Sequence, residues 1–298
     1  MRKIRIEDLQ VGMKLAKTIY SIDGKILVRQ KAELSPGLIH KLKSMGLPAA
    51  FIAEDAAGDQ AALDGLISEA LRANLVSSLS QLDLAIRSGR KLTLAPDKQR
   101  LFALVDEVLS NRGRQLGLTD IRFHGDYIYG HSVNVCAVAV KIGALLDYSQ
   151  AKLADLALGA LFHDIGMTRV PLTIMNKTSE LTAAERQAIR VHPEQGYAML
   201  KQSSHFSAVA THVAYQHHER YDGSGYPRGL AGAAIHEFAR IVAVADVYDA
   251  LTTEKVYRRA KTPAEALDHV QSRQGTDFDP PIVETFAQLI QSAGIRSV

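Results

Sequence analysis

Three patterns of apolar and polar positions succeed one another along the chain. Up to residue 53, short β-prone runs alternate with turn signals: Ile4-Arg5-Ile6, then Lys17-Thr18-Ile19-Tyr20 and, past Asp23-Gly24, Lys25-Ile26-Leu27-Val28. Asp-Gly between two such runs predicts a hairpin, because its residues accept the positive φ that a tight two-residue turn requires. Ser35-Pro36 offers an N-cap and a proline at the first helical position, so a helix is expected through Lys43 with Gly46 as its stop. Phe51-Ile52-Ala53 reads as a closing strand. No cluster of catalytic residue types falls here, and residues 1–58 are expected to form a small β-rich α+β module that docks or regulates.

The polar, small-residue stretch 54–60 marks a boundary. Beyond it Leu63, Leu66, Ile67, Leu71, Leu75, Leu79, Leu82 and Ile86 recur at helical spacing, predicting one amphipathic helix from Ala61 to Ile86. Its stripe packs either on a second protomer, giving a homodimer through residues 61–86, or on its own domain. A second helix follows Pro96-Asp97 and runs to the stop at Asn111-Arg112-Gly113, so residues 59–119 form a helical connector. From Asp126 the helical period dominates. Helices are expected from His131 to about Leu146, from Ala151 to Phe162, after the capping box Thr182/Glu185, from His192-Pro193, from Ser207 to His218, from His236 to Thr253, and after Thr262 and Asp279-Pro280. Residues 221–232, rich in glycine, cannot continue a helix and must be a loop. The expected fold is mainly α, a helical bundle over 120–298 behind the β-rich module.

Composition narrows the chemistry. The 298 residues are 47% apolar, enough for a substantial core. No run approaches the about eighteen apolar residues of a membrane span. Met1-Arg2-Lys3-Ile4-Arg5 leads into no apolar signal region, so the cytoplasm is the expected location. Cys136 is the only cysteine, which excludes a disulfide or a thiolate zinc site within one chain and leaves any metal to His and carboxylates. A net charge of +3 from 35 basic and 32 acidic residues gives no footprint for duplex nucleic acid, while a small anionic ligand fits.

His163-Asp164 closes an apolar helical run and is followed at once by Ile165-Gly166. An imidazole beside a carboxylate at a helix end can address one cation, and the carboxylate can bridge to a second. His131, His192, His217, His218, Asp246 and Asp249 lie at the ends or on the faces of other expected helices, the way bundles assemble two-metal sites. Five imidazoles with carboxylates and no thiolate suit Fe, Mn, Zn or Ni. Asp246 and Asp249, three apart on an otherwise apolar helix, share a face and need either a cation or partners such as Arg240 or Arg258. His217 and His218 are about 100° apart on a helix and meet one site only near its end. Singly, His131 or His192 is more often a cap or core histidine than a ligand; the set as a whole points to metal.

His163-Asp164-Ile165-Gly166, then His217-His218-Glu219 with Asp222-Gly223-Ser224-Gly225-Tyr226-Pro227, then Asp246-Val247-Tyr248-Asp249-Ala250-Leu251-Thr252 resemble the signature of HD-GYP domains, a subgroup of the HD phosphohydrolase superfamily. The resemblance covers roughly residues 120–298 and implies an all-helical HD-domain bundle that hydrolyses cyclic di-GMP to linear pGpG, in some members to GMP. It further implies two divalent ions, iron or manganese first and zinc or nickel as alternatives. His131, His163, Asp164 and Asp246 would hold one ion; Asp164, shared, would hold the other with His192, His217 and His218. His163 and Asp164 form the catalytic corner, and Asp249 and Glu219 lie behind the ligands. Lys255 and Arg258 match positions that meet ligand phosphates. Gly225 and Tyr226 lie in the loop that contacts substrate or protein partners. Two departures stand out. Met167 replaces the family's usual lysine, which favours an alternative role as a weak or inactive cyclic di-GMP receptor or interaction module; hydrolysis of another nucleotide is a further alternative. Tyr127 stands where three-metal members carry Glu, which favours two metals. Ile6-Glu7-Asp8-Leu9 and Val11-Gly12-Met13 resemble a small domain that precedes some HD-GYP domains and imply regulation.

Overall fold

The computed structural model describes residues 2–16, 18–20, 26–45, 49–53, 66–89, 97–111, 127–175, 177, 179–253 and 260–292. In the first part, β1 (Arg2–Arg5), β2 (Ile19–Tyr20) and β3 (Ile26–Val28) precede helix α1 (Pro36–Ser44), and β4 (Ala49–Ile52) follows it. β2 and β3 pair antiparallel with Ile19 opposite Val28, as the arms of the expected hairpin; its Asp23-Gly24 tip lies outside the described residues, as does Gly46. β1 pairs antiparallel with β4, Arg2 opposite Ile52, so two separate two-stranded ladders form. The Ser35 hydroxyl accepts from the Leu38 amide and starts α1 where the Ser-Pro signal placed it. Leu15, Leu34, Leu42 and Ile52 centre a small apolar cluster of their own.

α2 (Glu69–Arg87) and α3 (Lys98–Ser110) come next. α2 starts well after the expected Ala61, at a cap on Ser68. The Ser68 hydroxyl accepts from the Leu71 amide as an N-cap, while the Ser68 amide and hydroxyl donate to the Glu107 carboxylate at 2.5 and 2.9 Å. Leu66 and Ile67 stay buried ahead of the helix; residues 61–65 lie outside the described residues. The stripe Leu71, Leu75, Leu79, Leu82 and Ile86 joins the same apolar cluster as the bundle. It is covered by the chain itself, so the second-protomer alternative gains no support from this face.

The bundle comprises α4 (Tyr127–Leu145), α5 (Gln150–Leu161), a 3-10 turn (Ile165–Arg169), α6 (Leu172–Met175), α7 (Ala183–Arg190), α8 (His192–Lys201), α9 (Ala208–Gln216), α10 (Glu237–Thr252), α11 (Pro263–Ser272) and α12 (Pro280–Ser292). α4 and α10 are apolar on nearly all sides and buried in the middle, as such a pattern demands. α4 begins four residues before the expected His131, because Tyr129 continues its core-facing side backwards; His131 therefore sits within the helix and not at its cap. The capping boxes at Thr182/Glu185 and Thr262/Glu265 both form. Among the described residues no helix is long and apolar enough to cross a membrane.

Candidate metal centre

Asp164 lies between the end of α5 and the 3-10 turn, and its two oxygens face different neighbours. Oδ1 is 3.1 Å from His192 Nε2 and 3.6 Å from His217 Nε2. Oδ2 is 3.4 Å from His163 Nε2 and 3.9 Å from His131 Nε2. Two groups can each hold a metal ion, with ligand atoms within 4.8 Å of one another: Asp164, His192, His217 and His218, and His131, His163 and Asp164. Asp246 Oδ1 adjoins the second group, 3.0 Å from His131 Nε2. Three helix ends, those of α5, α8 and α9, and two helix interiors, those of α4 and α10, thus converge on one carboxylate.

The orientation of the rings follows from their far sides. His163 Nδ1 is 2.8 Å from the Ala160 carbonyl, His192 Nδ1 2.7 Å from that of Ile189, and His217 Nδ1 3.2 and 3.1 Å from those of Val213 and Ala214. A carbonyl only accepts, so each Nδ1 carries the proton and each Nε2 presents a lone pair towards Asp164. His131 Nδ1 is anchored instead on the Asp249 carboxylate at 2.6 Å. His163 Nε2 is buried without a hydrogen-bond partner, and His192 Nε2 faces His217 Nε2 at 3.2 Å. An orphaned buried nitrogen and two lone pairs pointed at each other are unfavourable alone and favourable around a cation. The donor set therefore fits divalent metal.

The electrostatics of the chain's own groups agree. Burial opposes charge on His131, yet its bonds to Asp246 and Asp249 outweigh this and raise it to about 10. Burial likewise disfavours a charged His163, but adjacent Asp164 raises it. Burial would raise Asp164, but His163, His192 and His217 hold it well below the usual carboxylate range, and His131 does the same for Asp246. Burial lowers His217, and burial together with His217 lowers His218 further. The carboxylates thus favour positive charge on the His131 and His163 side of the centre, while burial disfavours it on His217 and His218.

A layer behind these groups holds them. Asp249 is fully buried and accepts from Asn134 Nδ2 at 2.7 Å on the oxygen that His131 does not use. Glu219, also buried, accepts from the Arg228 and Leu230 amides at 2.8 and 3.0 Å and so clamps the glycine-rich loop. The Tyr226 amide donates to the His218 carbonyl at 3.1 Å, and the Tyr226 ring stacks on the His218 imidazole, centroids 4.8 Å apart. Arg190 lies 4.3 Å over the Tyr226 ring. Gly225 abuts its own chain: a Cβ there would come within 2.5 Å of Glu219 Cα. Arg240 pairs with Asp279 and not with Asp246 or Asp249. Met167 is half-buried in the 3-10 turn. Lys255 and Arg258 lie outside the described residues, as does the side chain of Tyr127. The sequence reading missed Asn134 and Arg190. Asn134, three residues after His131 on one helix face, carried a usable signal; Arg190, two before His192, carried none beyond its charge.

Residues 97–282 match the model of the HD domain family. The chain is 37% identical over 200 residues to the cyclic di-GMP phosphodiesterase PA4108 of Pseudomonas aeruginosa, covering 66% of this chain and 48% of that protein. It is also 37% identical over 163 residues to the 3'3'-cGAMP-specific phosphodiesterase 3 of Vibrio cholerae, covering 55% of this chain and 35% of that one. The chain therefore spans less than half the length of either relative. A similar fold is seen in Bd1817, a HDG"Y"P protein from Bdellovibrio bacteriovorus, with a TM-score of 0.57 and 17% identity over 97% of this chain and 99% of the other.

Proposed function

The chain belongs to the HD domain family, and from that premise we propose that it is a metal-dependent phosphodiesterase of cyclic dinucleotides, cyclic di-GMP foremost, opening the ring to linear pGpG. The observation that carries the proposal is the position of Asp164, whose oxygens face two sets of imidazole nitrogens that backbone carbonyls and Asp249 orient from behind. In this reading His131, His163, Asp164 and Asp246 hold one divalent ion, and Asp164, His192, His217 and His218 the other, iron or manganese being the best match to the donors. Bound there, such ions supply a nucleophilic water at neutral pH and neutralise charge that develops on the phosphoryl oxygens.

The remaining tasks fall to the chain. Tyr226, stacked on His218 and under Arg190, places an aromatic ring beside the centre, where a guanine can pack against it in place of the Arg190 guanidinium. Lys255 and Arg258 supply positive charge for the phosphates. Glu219 keeps the Gly-Tyr-Pro loop at the centre, where it also serves as the contact for protein partners. Met167 brings no ammonium to the turn after Asp164, so the chemical step proceeds without that charge. Residues 1–58 regulate, 59–119 connect, and 120–298 hold the hydrolase.

A second reading, preference for 3'3'-cGAMP, is favoured by the equal identity to the Vibrio cholerae relative. Both are tested by incubating Mn(II)-loaded protein with each dinucleotide and separating products by chromatography, with His163→Ala as control. Linear product from cyclic di-GMP ahead of 3'3'-cGAMP is expected. The reverse order selects the second reading. Retained binding with no product above the control leaves a receptor and overturns the enzyme.

A further inference from the structure

α2 lies outside every motif that points to the metal centre, yet two of its arginines bond to the segments that carry His131 and Asp164. Arg72 donates through Nη1 to Asn134 Oδ1 on α4. That contact orients the amide, because an oxygen held by a guanidinium leaves the NH2 group to face Asp249, to which it donates at 2.7 Å. Asp249 in turn holds His131 Nδ1 at 2.6 Å and directs Nε2 towards Asp246 and Asp164. A flipped amide would set an oxygen against the Asp249 carboxylate, so the bond from Arg72 excludes the orientation that repels.

Arg87 acts at the other end of the helix. Its Nε donates to both Asp83 oxygens at 2.8 Å, one turn back on α2, which fixes the plane of the guanidinium. The two outer nitrogens then donate to the Val170 carbonyl at 3.1 Å and the Met167 carbonyl at 3.3 Å. Met167 lies in the turn that begins directly after Asp164, and Val170 follows that turn directly. The same turn is pressed against α8 at Gly166, where a Cβ would fall 2.7 Å from the Gly196 amide nitrogen. The segment bearing Asp164 is thereby held between α2 and α8. Arg72 and Arg87 are fifteen residues apart, which on a helix is about 22 Å of rise and about 60° of rotation, so both leave α2 on nearly the same side.

We propose that α2 is a working part of the metal centre, with Arg72 and Arg87 as positioning residues: Arg72, through Asn134 and Asp249, sets the ligands of one ion, and Arg87 sets the bridging Asp164 and hence both. The proposal rests on the two-ion reading above. It gives the helix that follows the N-terminal module a direct mechanical hold on metal occupancy, at two points on the two segments that carry His131 and Asp164.

The test is titration of the full chain with Mn(II), free ion being counted by its electron paramagnetic resonance signal, alongside melting of the metal-free protein. Wild type is expected to take two ions. Arg72→Met keeps the apolar stem and removes the donors; it should weaken one of the two binding steps about tenfold or more, the scale for partners behind metal ligands, and leave the other unchanged. Asn134→Ala breaks the same chain of bonds and provides a second variant should the first fail to fold. Combined with Arg72→Met it should weaken that step no further than the worse single change. Arg87→Ala should weaken both steps, and Arg87→Lys, which keeps the charge but cannot span Asp83 and two carbonyls, should restore them only in part. Lower melting temperatures with both Mn(II) steps unchanged would reduce the arginines to structural supports and overturn the proposal. Failure of wild type to bind Mn(II) would instead overturn the two-ion reading, and this inference with it.

Discussion

Met167 anchors the turn after Asp164 through its main chain. Its amide donates to the Asp164 carbonyl at 2.8 Å and its carbonyl accepts from Arg87, so the backbone is fixed whatever the side chain. Met167→Lys therefore adds an ammonium on an unchanged main chain, and kcat on cyclic di-GMP should rise about tenfold, the effect of one charge-assisted hydrogen bond made only in the transition state. An unchanged or lower kcat would mean that other residues already supply that charge. His131 carries a second prediction. Raised to about 10 in the metal-free chain, it is protonated at pH 7, whereas a ligating Nε2 must be bare. Metal binding near neutrality should release protons and tighten as pH rises. Calorimetry of Mn(II) binding in buffers of differing ionisation enthalpy reads the number released; zero would contradict the assignment of His131. The sign for stability is the reverse: with its folded value raised, His131 stabilises the metal-free chain fully below about 6.5, and that contribution fades as pH climbs towards 10.

At the scale of elements, caps announced by a local motif were legible, and starts set by partners or packing elsewhere were not. Ser35, Asp97, Thr182 and Thr262 each accept the amide their motif implies, since a side-chain oxygen two or three residues ahead is a local device. α2 began late because Glu107, thirty-nine residues on, takes both donors of Ser68. α4 began early because its apolar face, not His131, sets its extent. The 3-10 turn and α8 make the most sensitive contact between elements. Gly166→Ala would drive a methyl into the His192 carbonyl and the Gly196 amide, moving the backbone that carries Asp164 and His192 together. We expect a loss of about 1–3 kcal/mol in denaturant unfolding, the usual cost of overpacking, together with loss of the ion shared by these two residues. Unaltered Mn(II) binding in Gly166→Ala would show that the two segments shift independently.

At the scale of the whole molecule, one apolar cluster runs from Leu66 to Ile290, and Cys136 lies at its centre, fully buried and donating to the Ala157 carbonyl at 3.3 Å. Burial pushes its thiol far above the ordinary range, which disfavours the reactive thiolate in the folded state. A thiol reagent should label Cys136 only as fast as the bundle unfolds, and faster labelling by a local opening would show that α4 and α5 part without global unfolding. The sequence by itself determined the helical bundle, most of its caps, the loop over 221–232 and the identity of the His and Asp candidates, because period, capping and motif act over a few residues. Only the tertiary structure decided which candidates meet and which nitrogen each ring turns inward. It alone showed that the connector helix covers its leucine stripe with its own chain and bonds through Arg72 and Arg87 to the segments behind the centre. Those contacts join residues 62 and 80 or more positions apart, and no local pattern records a partner that distant.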